Sequence, residues 1–337
     1  MAGAEAQTRV LSAPAKLNLG LRLLGRRPDG VHLLESLFVP LDLADRVELH
    51  VEVAAGGSGG PVVELELEGR APSRDVPTDE TNLAAAAARA FLDAAGLAGR
   101  VRIRLRKEVP VAAGLGGGSS DAGAVLRGLA ELFPDALPSG EIARLAAGLG
   151  ADVPFFLDPR PALVTGIGEQ VEPVDGVPEL DLVLANPGIS LATAEVYAAA
   201  DALGPALTPA RAGSTLRSLS ELQTAGKVGG SVGGGGWQVD GLAKLLVNDL
   251  EPAALRLCPS VGRLRDSLRA AGAAAVGMSG SGATVYGIFR SRAEAESAIR
   301  KAGFELQSAD FQSAFRSADG QPAVWARVVR SSGSRSD

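Results

Sequence analysis

A glycine-rich segment between a predicted strand and a predicted helix constrains this chain most strongly. Residues 110–121 read PVAAGLGGGSSD and place four glycines within positions 114–118. Glycine lets the backbone turn sharply and approach a ligand with no Cβ in the way. A helix that starts near Ser119 would direct its free N–H groups and its positive dipole end at that ligand. The segment therefore predicts a phosphate-binding loop, with the hydroxyls of Ser119 and Ser120 within reach of phosphate or magnesium.

This loop does not follow the two best-known nucleotide-binding patterns. A Walker P-loop ends in Lys followed by Ser or Thr, and no such pair closes this one. A G-x-G-x-x-G pattern would need glycine at position 119, where the chain has Ser119. From spacing alone, a glycine turn capped by serine stays open as the alternative interpretation.

Composition limits the class of protein. The chain has 337 residues, of which 46% are hydrophobic and 21% charged, which suits a globular protein of two domains. A net charge of −6 argues against nucleic-acid binding. The single cysteine excludes an internal disulfide framework, and two histidines make a zinc site improbable. No signal peptide and no apolar run of transmembrane length are found in the sequence, so we expect a cytoplasmic protein without a membrane partner.

The hydrophobic pattern predicts strands and helices in mixed order. Alternation or apolar runs predict strands at 47–53, 62–67, 101–105, 182–185 and 283–289, and helical periodicity predicts helices at 81–95, 119–132, 141–149 and 260–271. Strands and helices do not alternate strictly, which favours an α+β chain of two lobes. Residues 209–240, rich in Gly and Ser, are expected to form a flexible insertion, and residues 331–337 a disordered tail.

Several isolated residues allow two interpretations each. Lys16 interrupts an apolar run and is either a surface-facing strand lysine or functional. Asp152 lies beside a very apolar segment, so it must be paired, cap a helix or act chemically, because buried unpaired acids are costly. Asn82 could cap a helix or approach an adenine. His32 and the glycine-rich residues 277–282 would by themselves be an ordinary histidine and a tight turn.

In their order along the chain, these segments resemble the GHMP kinase superfamily. PAKLNL at 14–19, GLGGGSSDA at 114–122 and GMSGSGATV at 277–285 are similar to its three motifs. Further segments resemble those members that act on a cytidine-linked alcohol: RPDG and His32 at 27–32, SLFVPLDLAD at 36–45, GADVPFF at 150–156 and NDLEP at 248–252. The resemblance runs from about residue 11 to 327.

The resemblance implies a fold and a nucleotide site. It implies a two-lobed α+β kinase, with residues 1–161 like the domain 2 fold of ribosomal protein S5 and residues 162–330 like a ferredoxin plait. ATP would lie against the glycine-rich loop, and magnesium would be held mainly by phosphate oxygens and water, with no protein ligand assigned. The residues implied in ATP binding are Pro110, Val111, Ala112, Ala113, Gly114, Leu115, Gly116, Gly117, Gly118, Ser119 and Ser120.

The resemblance also implies catalytic and substrate-binding residues. Asp152 would accept the proton from the 2-hydroxyl of a cytidine-diphosphate-linked methylerythritol. Lys16 would keep Asp152 ionised and offset the developing negative charge. Asn18 and Thr193 would hydrogen-bond the methylerythritol part, and His32 and Tyr197 would line the cytosine site.

One residue departs from that pattern. The chain has Val31 before His32, where such kinases usually place a tyrosine that stacks on the cytosine. Valine offers no aromatic face, so we expect weaker binding of the nucleotide part of this substrate.

Other functions stay open at this point. The acceptor could be another small alcohol, such as homoserine, mevalonate or a sugar. The chain could instead be a non-catalytic nucleotide-binding protein on the same fold, or a lyase that couples phosphorylation to decarboxylation. The expected partner is a small molecule, and the sequence does not predict an oligomeric state.

Overall fold

The structure, a computed structural model, describes residues 6–55, 60–68, 76–204, 245–302 and 324–333. The insertion expected at 209–240 lies outside these ranges. The described chain has ten strands: β1 (Gln7–Arg26), β2 (His32–Ala55), β3 (Val62–Glu68), β4 (Leu97–Arg106), β5 (Ala162–Thr165), β6 (Gln170–Pro173), β7 (Asp181–Asn186), β8 (Ala275–Met278), β9 (Val285–Phe289) and β10 (Trp325–Arg330). Its helices are α1 (Leu83–Ala95), α2 (Gly117–Leu132), α3 (Ser139–Leu149), a 3-10 helix (Pro154–Leu157), α4 (Thr193–Ala202), α5 (Glu251–Leu257), α6 (Ser260–Ala270) and α7 (Arg292–Lys301).

The chain divides into two compact units. The first comprises Met1–Ala15, Ala44–Val111 and Gly116–Pro159, and the second comprises Lys16–Leu43, Ala112–Leu115 and Arg160–Asp337. This division shares a boundary near residue 160 with the two consecutive lobes expected from the sequence. It differs in that β1 and β2 each continue from one unit into the other.

The first unit packs helices on one face of a sheet. Residues 46–55 of β2 pair antiparallel with β4, so that Leu49 lies opposite Ile103, and β3 pairs parallel with β4. Alternate residues of β2 and β4 are buried against the helices α1 and α2. On the other face Arg102 and Arg104 pair with glutamates of β3. This is the strand with one solvated face that the sequence predicts.

The second unit contains a four-stranded antiparallel sheet in the order β10, β7, β9, β8. Every residue of β7 and β9 is buried, and the core beside them takes apolar side chains from α4, α5, α6 and α7. The first residues of β2 pair with β5 in the same unit, and β5 pairs with β6. Both units therefore mix helices with sheets, which agrees with the α+β class.

Helix ends agree with the sequence to within two residues. Helix α1 begins at Leu83 because the Asn82 side chain accepts a hydrogen bond from the Ala84 N–H, and it ends at Gly96 in a left-handed conformation. Helix α2 begins at Gly117, two residues before the predicted start. The capping interpretation of Asn82 is therefore the one that the structure supports.

The C-terminal tail requires a correction. The Ser331 N–H donates to the Leu180 carbonyl oxygen at 3.0 Å, and the Ser331 hydroxyl accepts from the Leu180 N–H at 3.0 Å. Ser332 donates to the Pro40 carbonyl at 2.9 Å. The expectation of disorder from residue 331 is wrong for these two residues, because backbone hydrogen bonds fix them. Residues 334–337 lie outside the described ranges. No helix of the described chain is long and apolar enough to cross a membrane.

Candidate active site

Lys16 and Asn18 form a buried polar pair on β1, in the second unit. The Lys16 side chain is 3% exposed and Asn18 1%. Lys16 Nζ donates a hydrogen bond to Asn18 Oδ1 at 2.5 Å and lies 4.5 Å from the centre of the Phe38 ring. Residues two apart on a strand point to the same face, so the ammonium and the amide meet in one place. The surface-facing interpretation of Lys16 is therefore wrong.

Asn18 is fixed by groups from distant parts of the chain. Its Oδ1 also lies 3.3 Å from the Ser279 hydroxyl, and its Nδ2 donates to Ser36 Oγ at 2.9 Å. Its carbonyl oxygen accepts from the Tyr286 hydroxyl at 3.0 Å. Oδ1 and one N–H of Nδ2 are therefore engaged within the described chain, and the contact of Asn18 with a substrate stays a prediction.

Ser279 joins this pair to the glycine-rich loop. Its hydroxyl donates to the Gly114 carbonyl oxygen at 2.9 Å, and the Lys16 N–H donates to the Leu115 carbonyl oxygen at 2.9 Å. Gly114 has a φ of +75°, and a Cβ there would lie 2.5 Å from the Ser279 carbonyl oxygen. Only glycine fits this position without a shift of the backbone. Three segments singled out in the sequence, 14–19, 114–122 and 277–285, are thus held together by hydrogen bonds.

The segment from Gly116 onward belongs to the first unit and leads into α2. Gly116 precedes the helix with a φ of +71°, and no side chain caps the helix. The uncapped first turn leaves backbone N–H groups as donors. Ser120 is fully buried there, and its Oγ has no hydrogen-bond partner in the described residues. Free donors, a helix dipole and a buried hydroxyl fit a phosphate group.

The other predicted loop residues vary in exposure. Pro110, Ala113, Leu115 and Gly117 are buried, whereas Val111, Ala112 and Gly118 are exposed and Ser119 is half-buried. Ala112 has a φ of +51°, which is uncommon for a residue with a side chain.

Asp152 lies in the first unit, in the turn between α3 and the 3-10 helix. It is half-buried, and its neighbours Val153, Phe155 and Phe156 are fully buried. The apolar 3-10 helix thus fixes the backbone beside this carboxylate. Its pairing with Lys16, which belongs to the second unit, stays a prediction.

Besides Asn18 on β1, the residues predicted to bind the cytidine-linked substrate lie on β2 and α4 of the second unit. The rings of His32 and Tyr197 have centres 4.8 Å apart at an angle of 40°. Thr193 Oγ1 lies 3.1 Å from the Ser281 hydroxyl, which places it beside the 277–285 segment. Val31 is 42% exposed. The structure therefore brings His32 and Tyr197 together, and their role in binding cytosine stays a prediction.

Sequence reasoning missed a buried charge cluster in the first unit. Lys107, just after β4, donates to Asp45 Oδ2 and, at 2.6 Å, to Asp121 Oδ2 near the start of α2. Burial raises the pKa of Asp121 to about 8; the nearby Lys107 opposes this shift and Asp45 adds to it. Asp45 and Asp121 lie in segments singled out for their resemblance, 36–45 and 114–122, but no local pattern linked either of them to Lys107.

Asn248 was also missed as a residue that shapes the site, although it lies in a segment singled out for its resemblance. Its Nδ2 donates to the carbonyl oxygens of Met278 and Gly280 at 2.9 and 2.8 Å, and its Oδ1 accepts from the Leu250 N–H at 2.9 Å. One buried amide therefore fixes the turn that carries Ser279.

Comparison with known proteins gives consistent matches. Residues 82–158 match the family described as GHMP kinases N terminal domain, and residues 238–307 match GHMP kinases C terminal. The 4-diphosphocytidyl-2-C-methyl-D-erythritol kinase of Deinococcus radiodurans is 41% identical over 288 residues, covering 85% of this chain and 86% of that protein. The enzyme of the same name from Methylorubrum extorquens is 42% identical over 294 residues, covering 85% and 91%.

Solved structures agree. A crystal structure of 4-(cytidine 5'-diphospho)-2C-methyl-D-erythritol kinase aligns with a TM-score of 0.68 at 34% identity, covering 96% of this chain and 100% of that one. Mevalonate kinase of L. major aligns with a TM-score of 0.64 at 16% identity, covering 99% of each chain, which shows the shared fold alone.

The α+β fold and the glycine-rich loop joined to a buried lysine define a small-molecule kinase of the GHMP type. The sequence identity to the named relatives, and the share of each chain that the matches cover, assign the chain to one family of these kinases. The chain belongs to the GHMP kinase superfamily and, within it, to the 4-diphosphocytidyl-2-C-methyl-D-erythritol kinase family.

Proposed function

We propose that this chain transfers the γ-phosphoryl group of ATP to the 2-hydroxyl of 4-diphosphocytidyl-2-C-methyl-D-erythritol. The observation that carries the proposal is the hydrogen-bonded cluster of Lys16, Asn18, Ser279 and Gly114, which joins a buried cation to the glycine-rich loop. The named relatives, which this chain matches over most of their length, support the choice of acceptor. We also propose that the protein acts in the cytoplasm.

The glycine-rich loop and the first turn of α2 would hold the triphosphate. When bound, ATP supplies the phosphoryl group, and magnesium neutralises phosphate charge, held through phosphate oxygens and water. The N–H groups at the start of α2 and the buried Ser120 hydroxyl are donors that suit phosphate oxygens. The remaining proposed ATP-binding residues, from Pro110 to Ser119, supply backbone and shape.

Lys16 and Asp152 would carry the chemical step. Asp152 accepts the proton of the 2-hydroxyl as the oxygen attacks phosphorus. Lys16 stabilises the negative charge that develops on the attacking oxygen and the transferred group. The bond from Lys16 Nζ to Asn18 supports this role, because it holds the ammonium in one position before substrate arrives.

Asn18, Thr193, His32 and Tyr197 would bind the acceptor. The second N–H of Asn18 Nδ2 and the Thr193 hydroxyl would contact the methylerythritol hydroxyls. His32 and Tyr197 would receive the cytosine, since two rings 4.8 Å apart offer an aromatic surface and a polar edge.

The test is ADP release by the purified protein with ATP, magnesium and the cytidine-diphosphate methylerythritol. Asp152→Asn and Lys16→Met should each lower kcat by about a hundredfold or more, which is typical for loss of a general base or a transition-state cation. Asp135→Asn, at an exposed carboxylate between α2 and α3, is the matched control and should keep wild-type turnover.

The outcomes separate the parts of the proposal. Turnover by the wild type that Asp152→Asn leaves unchanged would remove Asp152 as the base and keep the kinase. No turnover with this acceptor, but turnover with homoserine, mevalonate or a sugar, would overturn the substrate. Release of carbon dioxide would indicate a decarboxylase instead.

A further inference from the structure

The buried cluster of Asp45, Lys107 and Asp121 lies at the base of the glycine-rich loop, and the proposed mechanism makes no use of it. The three side chains are 0%, 8% and 4% exposed, respectively. Lys107 donates to both carboxylates, so it is shared between β2 and α2. Such a buried set of charges keeps its geometry, because removing one partner would leave another charge uncompensated.

Besides binding Lys107, Asp45 fixes the backbone at the start of the loop. Its Oδ1 accepts hydrogen bonds from the backbone N–H groups of Glu108 and Val109, at 2.5 and 2.8 Å. These are the two residues that precede Pro110, where the glycine-rich segment begins. One carboxylate therefore binds three donors from consecutive residues of the chain.

Asp121 fixes the other end of the loop. It is the fifth residue of α2, which begins at Gly117. Gly117 itself is close to the start of the loop, because a Cβ there would lie 3.0 Å from Val109 Cγ1 and 3.4 Å from Lys107 Nζ. The segment before the loop and the helix after it are thus joined both by charge and by close packing.

We propose that Lys107, held between Asp45 and Asp121, is a positioning residue for the nucleotide site: it fixes the first turn of α2 relative to the start of the glycine-rich loop, so that the backbone donors there face the phosphates of ATP. This inference rests on the proposed function for the identity of the nucleotide. Lys107 acts through the backbone and contacts no reacting atom.

A positioning role should affect the binding of ATP alone, whereas general support of the fold should affect the binding of both substrates. Loss of the Lys107 contacts lets the start of α2 shift, and misplacement of N–H donors weakens phosphate binding. The residues proposed to bind the acceptor belong to the second unit, whereas Lys107 belongs to the first. The affinity for ATP should therefore fall while the affinity for the cytidine substrate stays the same.

The test compares two double variants. Lys107→Met with Asp121→Asn removes the Lys107 ammonium together with the carboxyl group of Asp121 that it contacts, and it leaves Asp45 with its two backbone donors. The control, Arg104→Met with Glu66→Gln, removes a half-exposed ion pair that joins β4 to β3 on the solvated face of the sheet. Calorimetry then measures the Kd of a non-hydrolysable ATP analogue with magnesium, and separately the Kd of the cytidine-diphosphate methylerythritol.

We expect the Lys107 double variant to bind the ATP analogue about tenfold more weakly or worse, because small misplacements at such sites have large effects. Its Kd for the cytidine substrate should stay within about twofold of wild type, and the control should change neither. An unchanged Kd for the analogue in a folded Lys107 variant overturns the proposal, and so does equal weakening of both ligands.

Failure of the proposed function gives a different result. If the wild-type protein binds the ATP analogue but not the cytidine substrate, the assigned acceptor is wrong. The Kd of the analogue for the Lys107 double variant still tests the role of Lys107 in that case. If the Lys107 double variant does not fold, Asp121→Asn alone replaces it. A small rise in the analogue Kd with no change in acceptor affinity would then support the role, and no rise would overturn it.

Discussion

Nε2 of His32 lies 2.9 Å from Oδ1 of Asp201, one helix turn beyond Tyr197 on α4. Asp201 also forms an ion pair with Arg26. Partial burial acts to raise the pKa of Asp201, but the hydrogen bonds from Arg26 and His32 outweigh it and hold that pKa below its ordinary value. The carboxylate therefore fixes which edge of the His32 ring faces α4.

Asp201→Asn should weaken binding of the cytidine substrate. The amide keeps the shape but loses the charge, so His32 is held less firmly beside Tyr197. We expect KM for the cytidine substrate to rise about three- to tenfold, the effect of one ordinary hydrogen bond, with KM for ATP unchanged. Steady-state kinetics with each substrate varied in turn measure this. Asp266→Asn, on the exposed side of α6, is the control, and equal changes in both KM values would contradict the prediction.

Val31→Tyr should strengthen binding of the same substrate. Val31 is exposed beside His32, so a larger ring has room there. A stacked aromatic ring adds about 1–3 kcal/mol per base, which corresponds to a KM lowered by about five- to a hundredfold. The same kinetic assay tests it. An unchanged KM would mean that position 31 does not face the cytosine, and the predicted weakness of the native chain would be wrong.

Gly114→Ala should be far more damaging than Gly96→Ala. Both glycines have positive φ, +75° and +62°, so both substitutions carry the penalty for a left-handed alanine of about 1–2 kcal/mol. Only the Cβ at 114 would meet a backbone oxygen, that of Ser279 at 2.5 Å, whereas the one at 96 has nothing within 4 Å. We expect Gly114→Ala to lower the free energy of unfolding by about 1–3 kcal/mol more than Gly96→Ala, and to lower turnover. Urea unfolding would contradict this if the two variants were equally stable.

Asp121→Asn should change how stability depends on pH. The pKa of Asp121 is about 8 in the folded chain against 3.8 as the ordinary value, so the folded state holds this proton more tightly than the unfolded state. The stability that this group contributes is complete below about pH 4 and is lost as the pH rises through about 8. Asparagine does not titrate. Between about pH 4 and 8, the free energy of unfolding of wild type should therefore decrease by about 1 kcal/mol per pH unit more than that of the variant.

Urea unfolding at several pH values between about 5 and 8 measures this difference. The free energy of unfolding of the variant, minus that of wild type, should increase with pH. Parallel curves for the two proteins would mean that Asp121 is ionised in the folded state, because attraction to Lys107 outweighs burial.

Local patterns in the sequence predicted much of the fold and part of the site. The alternation of Val101, Ile103 and Leu105 with arginines predicted β4 and its solvated face. The four glycines before Ser119 predicted a loop that leads into a helix. Such features depend on residues close in sequence, and their physical causes act locally. Lys16 was ambiguous on the pattern alone. The resemblance of its surrounding motif favoured a functional role, and the structure shows that its side chain is buried.

Contacts between distant residues could not be predicted from the same patterns. Lys107 and Asp45 are 62 residues apart, and Asn18 and Ser279 are 261 residues apart. Patterns within a short stretch of sequence do not indicate which distant side chains form hydrogen bonds with each other. Strand β8, at 275–278, was missed because its glycine-rich surroundings are typical of a turn, whereas pairing with β9 makes it extended. The roles of Asp152 and of the acceptor-binding residues stay predictions.

The path of the backbone has a consequence for engineering. The chain passes from one compact unit to the other after residues 15, 43, 111, 115 and 159. A gene cut at residue 160 would separate 16–43 from the β5, β9 and Asn248 segments with which that stretch forms its hydrogen bonds and core. Neither half should then be obtainable as an autonomous module, and exchanging one half between two homologous enzymes would require replacing 16–43 together with the C-terminal portion.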